Sequence, residues 1–279
     1  MSTAFKRTQS ILVDSHVHIH DCFDLPGFFN SAFKNFQAAS NQEQCPCLLL
    51  LTEAKSENYF RLLSQAVKAK NSHLFKLRDW EIKPTQESAS LCAFHSENEE
   101  IFLIAGRQII TAEGIEILAL ITTQEFEEGK PLEKVIQEIV DCGGIPVLPW
   151  GFGKWIGLRG RIVRQFLETQ NLPLLFLGDN SGRPNFWAEP YLFKQAKRRG
   201  LQILTGSDPL PFPSEFWRAG SYGFSVEGVF NREKPAACIK QILIELTVQP
   251  QVYGSLENPF RFVRNQIAMQ LFKRHRRSK

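Results

Sequence analysis

The sequence predicts an α/β fold in which apolar strands alternate with crossover helices. Two stretches carry that expectation, and a third qualifies it. Cys47 to Leu51 reads as a wholly apolar strand, followed by the polar turn Thr52-Glu53-Ala54-Lys55 and a helix from Ser56 to about Lys70 with Phe60, Leu63 and Val67 on one side. Alternation returns at Pro131, a residue suited to a helix N-terminus. Leu132, Val135, Ile136 and Ile139 then form the buried stripe and Gly143-Gly144 close the helix. Ile145 to Leu148 is the next strand, residues 156–168 are helix-compatible, and Leu172 to Leu177 is a strand. A helix from about Asn185 to Gly200 leads to the strand Leu201 to Thr205 and then to Gly206-Ser207-Asp208. Between these blocks, the segment from His73 to Thr122 reads as five short strands: His73 to Ile82, Ala89 to His95, Ile101 to Ala105, Gln108 to Thr111 and Ile115 to Ile121. A strictly regular strand-helix repeat is therefore not expected.

The first strand, Ile11 to His20, carries the densest chemistry. On a period-2 segment Asp14, His16, His18 and His20 share one face, with Val13, Val17 and Ile19 on the other. His16 and His18 can approach one cation together, and neutral imidazole suits zinc, manganese or iron. In parallel α/β folds the carboxyl ends of strands collect binding residues. The loops to watch therefore begin at Asp14, Thr52, Pro149, Gly178 and Gly206. Asp208 would complete the pocket from the far end of the chain, as a ligand or as the base that takes a proton from water. The alternatives are a hydrogen-bonded histidine layer and an aspartate that caps the Gly206 turn. His20 is a third ligand or a residue of the mouth.

Two further loops offer charge. Trp150-Gly151-Phe152-Gly153-Lys154-Trp155 and Gly178-Asp179-Asn180-Ser181-Gly182-Arg183-Pro184 each follow a strand. Lys154 and Arg183 could hold a phosphate or carboxylate, Arg183 in bidentate fashion; otherwise they are solvated loop charges. Asp179 is a substitute ligand. The glycines match neither a dinucleotide fingerprint nor a P-loop.

Asp21 to Gln44 is rich in Phe and Asn and reads as a loop with a short helix over the mouth, or as an aromatic-packed connection. Beyond the Gly-rich Gly220 to Phe224, helices are expected from Ala236 to Leu246 and from Pro259 to Phe272. The last places Phe260, Val263, Ile267 and Phe272 on one side, either packed on the body or, with Arg261, Arg264 and Lys273 beside them, bound to a surface.

The chain as a whole, 279 residues with 43% apolar and 22% charged residues, is that of an ordinary globule able to bury a large core. The net charge of +4 gathers at the basic end Lys273-Arg274-His275-Arg276-Arg277-Ser278-Lys279, a solubilising tail or an attractor of phosphates. Six cysteines are too few for a disulfide framework, and Cys45-Pro46-Cys47 has neither zinc-finger nor redox spacing. No signal peptide or membrane span is legible, so the cytoplasm is expected.

Four motifs carry a resemblance to a known family. They are Asp14-Ser15-His16-Val17-His18, Leu49-Leu50-Leu51-Thr52-Glu53-Ala54, Ala105-Gly106-Arg107-Gln108-Ile109-Ile110-Thr111, and the run from Ala196 to Asp208. Together they resemble the polymerase and histidinol phosphatase (PHP) superfamily over Ile11 to about Phe224. The resemblance implies a distorted (β/α)7 PHP-like barrel over residues 8–228, including the strand-rich segment 73–122. A C-terminal helical extension with a basic tail, residues 229–279, would pack on it. It also implies divalent metals and phosphoesterase activity. Four positions depart from the family pattern: Ala54 stands where a histidine is expected, Gln108 where a bridging glutamate is expected, Trp150 in a His-Pro motif and Leu210 in a final Asp-x-His. An ordinary trinuclear site is therefore not expected. The resulting expectation is a metal-dependent hydrolase, phosphoesterase-like, with one zinc, manganese or iron ion on His16, His18, Glu53 and Asp208. Asp208, Lys154 and Arg183 would carry the chemistry. The alternative is a catalytically inactive PHP-like protein that binds a small anionic or phosphorylated ligand without metal. No specific nucleic acid is expected, and oligomeric state is not legible.

Overall fold

The computed structural model describes residues 8–40, 45–69, 78–95 and 99–277. The strands are β1 (Thr8–Val17), β2 (Cys47–Leu51), β3 (Glu81–Pro84), β4 (Ser90–Phe94), β5 (Glu100–Ile104), β6 (Gly106–Ile110), β7 (Glu116–Leu120), β8 (Ile145–Pro149), β9 (Phe176–Asn180), β10 (Ile203–Gly206), β11 (Tyr222–Val229) and β12 (Gln251–Gly254). The helices are α1 (Leu25–Ala39), α2 (Tyr59–Ala69), α3 (Leu132–Asp141), α4 (Leu158–Glu168), α5 (Tyr191–Arg198), α6 (Pro235–Ile244) and α7 (Pro259–Arg277), with a 3-10 turn at Pro213–Arg218.

The strands form two mixed sheets, ordered β12-β11-β1-β2-β5-β4-β3 and β10-β9-β8-β7-β6. β1, β2 and β5 are mutually parallel, as are β8, β9 and β10. Antiparallel pairs come from the strand-rich middle in both sheets and, in the first, also from β11 and β12. Among the described residues the ladders do not close into a barrel. The first half of the expected strand from His73 to Ile82 lies outside those residues, and β3 begins at Glu81.

Two seams join the sheets. At one, the backbone N–H of Asp208 donates to the His16 carbonyl at 2.8 Å and Ser15 Oγ donates to the Thr205 carbonyl at 2.9 Å. At the other, Glu53 and Arg107 form a bridge and the Gln108 N–H donates to the Glu53 carbonyl at 3.0 Å. A glycine sits beside each. A Cβ on Gly206 would lie 2.3 Å from the His16 nitrogen, and one on Gly106 would lie 2.3 Å from the Leu51 carbonyl oxygen. Only a residue without a side chain lets the backbones approach this closely.

The core lies in three layers. Between the sheets pack Ile11, Val13, Leu48, Leu50, Leu120, Val147, Phe176, Leu204 and Phe224. Outside the first sheet, Leu49 and Leu51 meet Phe28, Phe29 and Phe36 of α1; outside the second, Ile117, Leu148 and Leu177 meet α3, α4 and α5. β2 is buried on both faces, which is why it reads as an unbroken apolar run.

Three elements differ from expectation. The Phe-rich segment after β1 is a full 15-residue helix, N-capped by Asp24, which accepts from the Gly27 N–H at 3.0 Å. α2 starts at Tyr59, not Ser56, because Asn58 caps it by accepting from the Arg61 N–H at 3.0 Å. The Gly-rich 220–224 segment opens β11, paired antiparallel with β1 in the register Val13 to Phe224. Gly223 is needed there, since a Cβ would lie 2.1 Å from the Val13 carbonyl oxygen. No described helix is long and apolar enough to cross a membrane.

Candidate metal centre

His16 and His18 leave the end of β1 pointing the same way, and their Nε2 atoms stand 3.2 Å apart. Asp208 reaches them across the β1–β10 seam: its Oδ1 lies 3.5 Å from His16 Nε2 and 3.6 Å from His18 Nε2. Its backbone has a φ of 48°, a left-handed conformation sparse outside glycine but tolerated by aspartate. Asn180 fixes the other oxygen, donating from Nδ2 to Asp208 Oδ2 at 2.9 Å while also reaching the Trp150 carbonyl at 3.0 Å. Thr52 Oγ1 lies 3.5 Å from His18 Nε2.

Burial holds the His16 imidazole below its ordinary value and that of His18 well below. Both rings are therefore neutral at physiological pH, the form that ligates a metal. Burial pushes the Asp208 carboxyl up, while a proton on either histidine, His16 foremost, and the cations of Lys154 and Arg218 draw it below its ordinary value. Two neutral nitrogens and a carboxylate oxygen thus converge. A tetrahedral ion with bonds of about 2.1 Å has ligand–ligand edges of about 3.4 Å, and the three separations of 3.2, 3.5 and 3.6 Å bracket that value. The donor set fits one divalent ion with a position left open. His18 Nδ1 is buried with no hydrogen-bond partner, a cost of about 1–3 kcal/mol on the centre.

The remaining candidates lie elsewhere. Glu53 does not join the group: its carboxylate caps α2, accepting from the Tyr59 N–H at 2.6 Å and the Phe60 N–H at 3.1 Å. Asp14 is wholly buried behind the site and accepts from the N–H groups of Ser207 and Gly220, each at 2.8 Å; burial raises its carboxyl to about 7. His20 is occupied on both sides, with Nδ1 2.9 Å from Glu57 and Nε2 3.1 Å from the Pro209 carbonyl. Arg183 is spent on a buried bidentate pair with Asp179 and on the Trp187 carbonyl, so neither Arg183 nor Asp179 is turned to the site. Lys154 is beside it, ion-paired with Glu116.

His18 and Asp208 open into a cavity of about 550 Å³. Ala54, Gln108, Trp150 and Leu210 all line it. These are the positions at which the resemblance places ligands that this chain lacks. Across the mouth lies α7, which contributes Phe262, Asn265, Gln266, Met269 and Phe272 to the lining. Phe262 packs edge-on against Phe152 at 5.2 Å. The lining holds three cationic side chains, Lys154, Arg159 and Arg218, against four carboxylates, Glu57, Glu116, Asp208 and Glu257. Behind it, Arg218 is buried between Glu257, Glu215 and Ser181. Sequence reasoning missed the roles of Asn180, Glu116 and Arg218, which depend on contacts between distant loops. The amide of Asn180, the last residue of β9, was the one visible signal.

No protein-family model matches the sequence, and no curated protein matches it. Among solved structures, the chain is similar in fold to PsfC from Pseudomonas syringae PB-5123, with a TM-score of 0.58 at 14% identity over 95% of this chain and 99% of that one. The lesion-specific endonuclease PfuEndoQ from Pyrococcus furiosus gives 0.48 at 11% identity, covering 88% of this chain and 58% of the endonuclease. Endonuclease Q in complex with a 27-mer duplex bearing an abasic lesion gives 0.44 at 11% identity over 87% and 58%. At 14% identity the likeness to PsfC is one of fold alone.

Proposed function

We propose that this protein is a metal-dependent hydrolase of PHP-like type, acting on a phosphate ester through one divalent ion held by His16, His18 and Asp208. The observation that carries the reading is the convergence of two neutral imidazoles and an ionised carboxylate at tetrahedral spacing beneath an open cavity. We read the two sheets as a distorted barrel parted along its two seams, with the site at the strands' carboxyl ends.

An ion bound there supplies Lewis acidity and makes water a competent nucleophile near neutral pH. The chain's own residues do the rest. Asn180 orients the Asp208 carboxylate, Thr52 stands beside His18, and Lys154 is positioned to move from Glu116 toward an entering anion. Gln108 lines the same cavity and offers a neutral donor and acceptor.

The lining charge weighs against the metal-free anion-binding alternative. Among its carboxylates, lysine and arginines, four negative groups exceed three positive ones, so the lining alone is a poor match for an anion. A divalent cation reverses that sign. The test is turnover of chromogenic phosphate mono- and diesters with manganese, zinc or ferrous ion added separately to chelator-stripped protein. Hydrolysis that requires one of these ions and disappears in His18→Ala supports the reading; no turnover with any of them opposes it.

A further inference from the structure

α7 has two apolar faces. One closes the cavity through Phe262, Met269 and Phe272. The other is turned outward: Phe260 is 89% exposed, Val263 54%, Ile267 57% and Leu271 52%, at spacings of three, four and four residues. The exposed Phe186 and Trp187 adjoin its beginning, where Trp187 lies 6.5 Å from Phe262. Of the two placements the sequence leaves open, packing on the body does not hold for Phe260, Val263 and Ile267, which are exposed.

Charge identifies what covers this face. From Pro259 to Lys279 the chain carries seven Lys and Arg residues and no Asp or Glu. The rest of the chain keeps 26 of the 33 basic residues against all 29 acidic ones, so its net charge is negative. The chain is thus polarised, with its positive excess on the helix that exposes an apolar stripe and the two residues that follow it. An isologous contact between two copies through α7 would set its six Lys and Arg residues against the same six. Nucleic acid would satisfy the cations but leave the aliphatic stripe in water. An anionic bilayer matches both the apolar stripe and the basic composition of the segment, although Arg261 and Arg264 also face Glu257 and Glu215 at 3.9 and 3.8 Å.

We propose that α7 docks on an anionic lipid surface, lying in the plane of the interface. Because the opposite face of the same helix roofs the cavity, docking brings the mouth of the candidate site to the bilayer boundary. The proposal does not depend on metal or turnover.

The test is co-sedimentation of the full chain with vesicles of about one-third phosphatidylglycerol and two-thirds phosphatidylcholine, against vesicles of phosphatidylcholine alone. Partition onto the anionic vesicles is expected to exceed that onto the neutral ones by about tenfold or more, and to fall by about tenfold in Phe260→Ser/Ile267→Ser. Both substituted side chains are exposed, so circular dichroism of the variant should match that of the parent. Failure to bind anionic vesicles would overturn the proposal, as would binding that the double variant retains. A parent dimer by light scattering that the double variant dissociates would assign the stripe to a second copy and overturn it equally.

Discussion

Asp208 and His16 are joined twice: the backbone N–H of Asp208 donates to the His16 carbonyl at 2.8 Å, and its Oδ1 stands 3.5 Å from His16 Nε2. The same two residues therefore stitch one seam between the sheets and form one edge of the candidate centre. A ligand that holds their side chains together also holds the sheets together, so metal binding and folding stability are linked.

Divalent ion at about one hundred times its dissociation constant should raise the unfolding free energy by about 2.7 kcal/mol, seen as a higher midpoint in urea. His16→Ala/His18→Ala should show no such rise. An equal response of parent and variant to added metal would place the ion elsewhere.

Asp208→Asn keeps a carbonyl oxygen near both imidazoles but removes the charge. Metal affinity should fall at least about tenfold to a hundredfold, measured by calorimetric titration, with the fold retained. Undiminished affinity would remove Asp208 from the ligand set.

Gly206→Ala should destabilise the protein by about 1–3 kcal/mol or more, because the added Cβ meets His16 backbone 2.3 Å away. The displacement falls on a candidate ligand, so metal affinity should drop with the melting temperature. A melting temperature within a degree or so of the parent would show that the seam yields freely.

Arg183→Ala leaves the Asp179 carboxylate buried without its bidentate partner, at a cost of about 3–5 kcal/mol. Its effect should appear in denaturant midpoints, with metal affinity unchanged. A large loss of affinity with normal stability would return Arg183 to the site.

Glu53 gives a pH signature. Burial raises its carboxyl from 4.5 to about 7, against the N–H groups of Phe60 and Tyr59. Between those values the folded state binds a proton that the unfolded state releases, so this group's contribution to stability falls as pH rises through the window. It is level below the lower value and above the upper one. Glu53→Gln does not titrate, so the stability of the parent relative to the variant should decline from about pH 4.5 to about pH 7.5. A difference that stays constant over that range would mean Glu53 is not shifted upward.

The strands at the centre of the sheets were legible because they are buried on both faces and read as plain apolar runs, as in β2 and β8. α3 was legible because Pro131, its buried stripe and the two following glycines agree. β11 was obscured by the glycines that its close approach to β1 requires. Two histidines two residues apart at the end of β1 announced two of the centre's three residues, and the Gly-Ser-Asp run announced Asp208. The occupation of Glu53, His20 and Arg183 by other partners depends on which loops meet in space, and local sequence does not encode that. The same applies to α7, whose two apolar faces have a period that fits packing and exposure alike.

The most direct measurement is the metal content of the protein, by elemental mass spectrometry, after purification without chelator or an affinity metal. It should be made beside His16→Ala/His18→Ala prepared identically. About one equivalent of zinc, manganese or iron in the parent, absent from the variant, is the expected result. A parent that is metal-free and stays so after each ion is supplied and excess removed would contradict the centre, and with it the hydrolase.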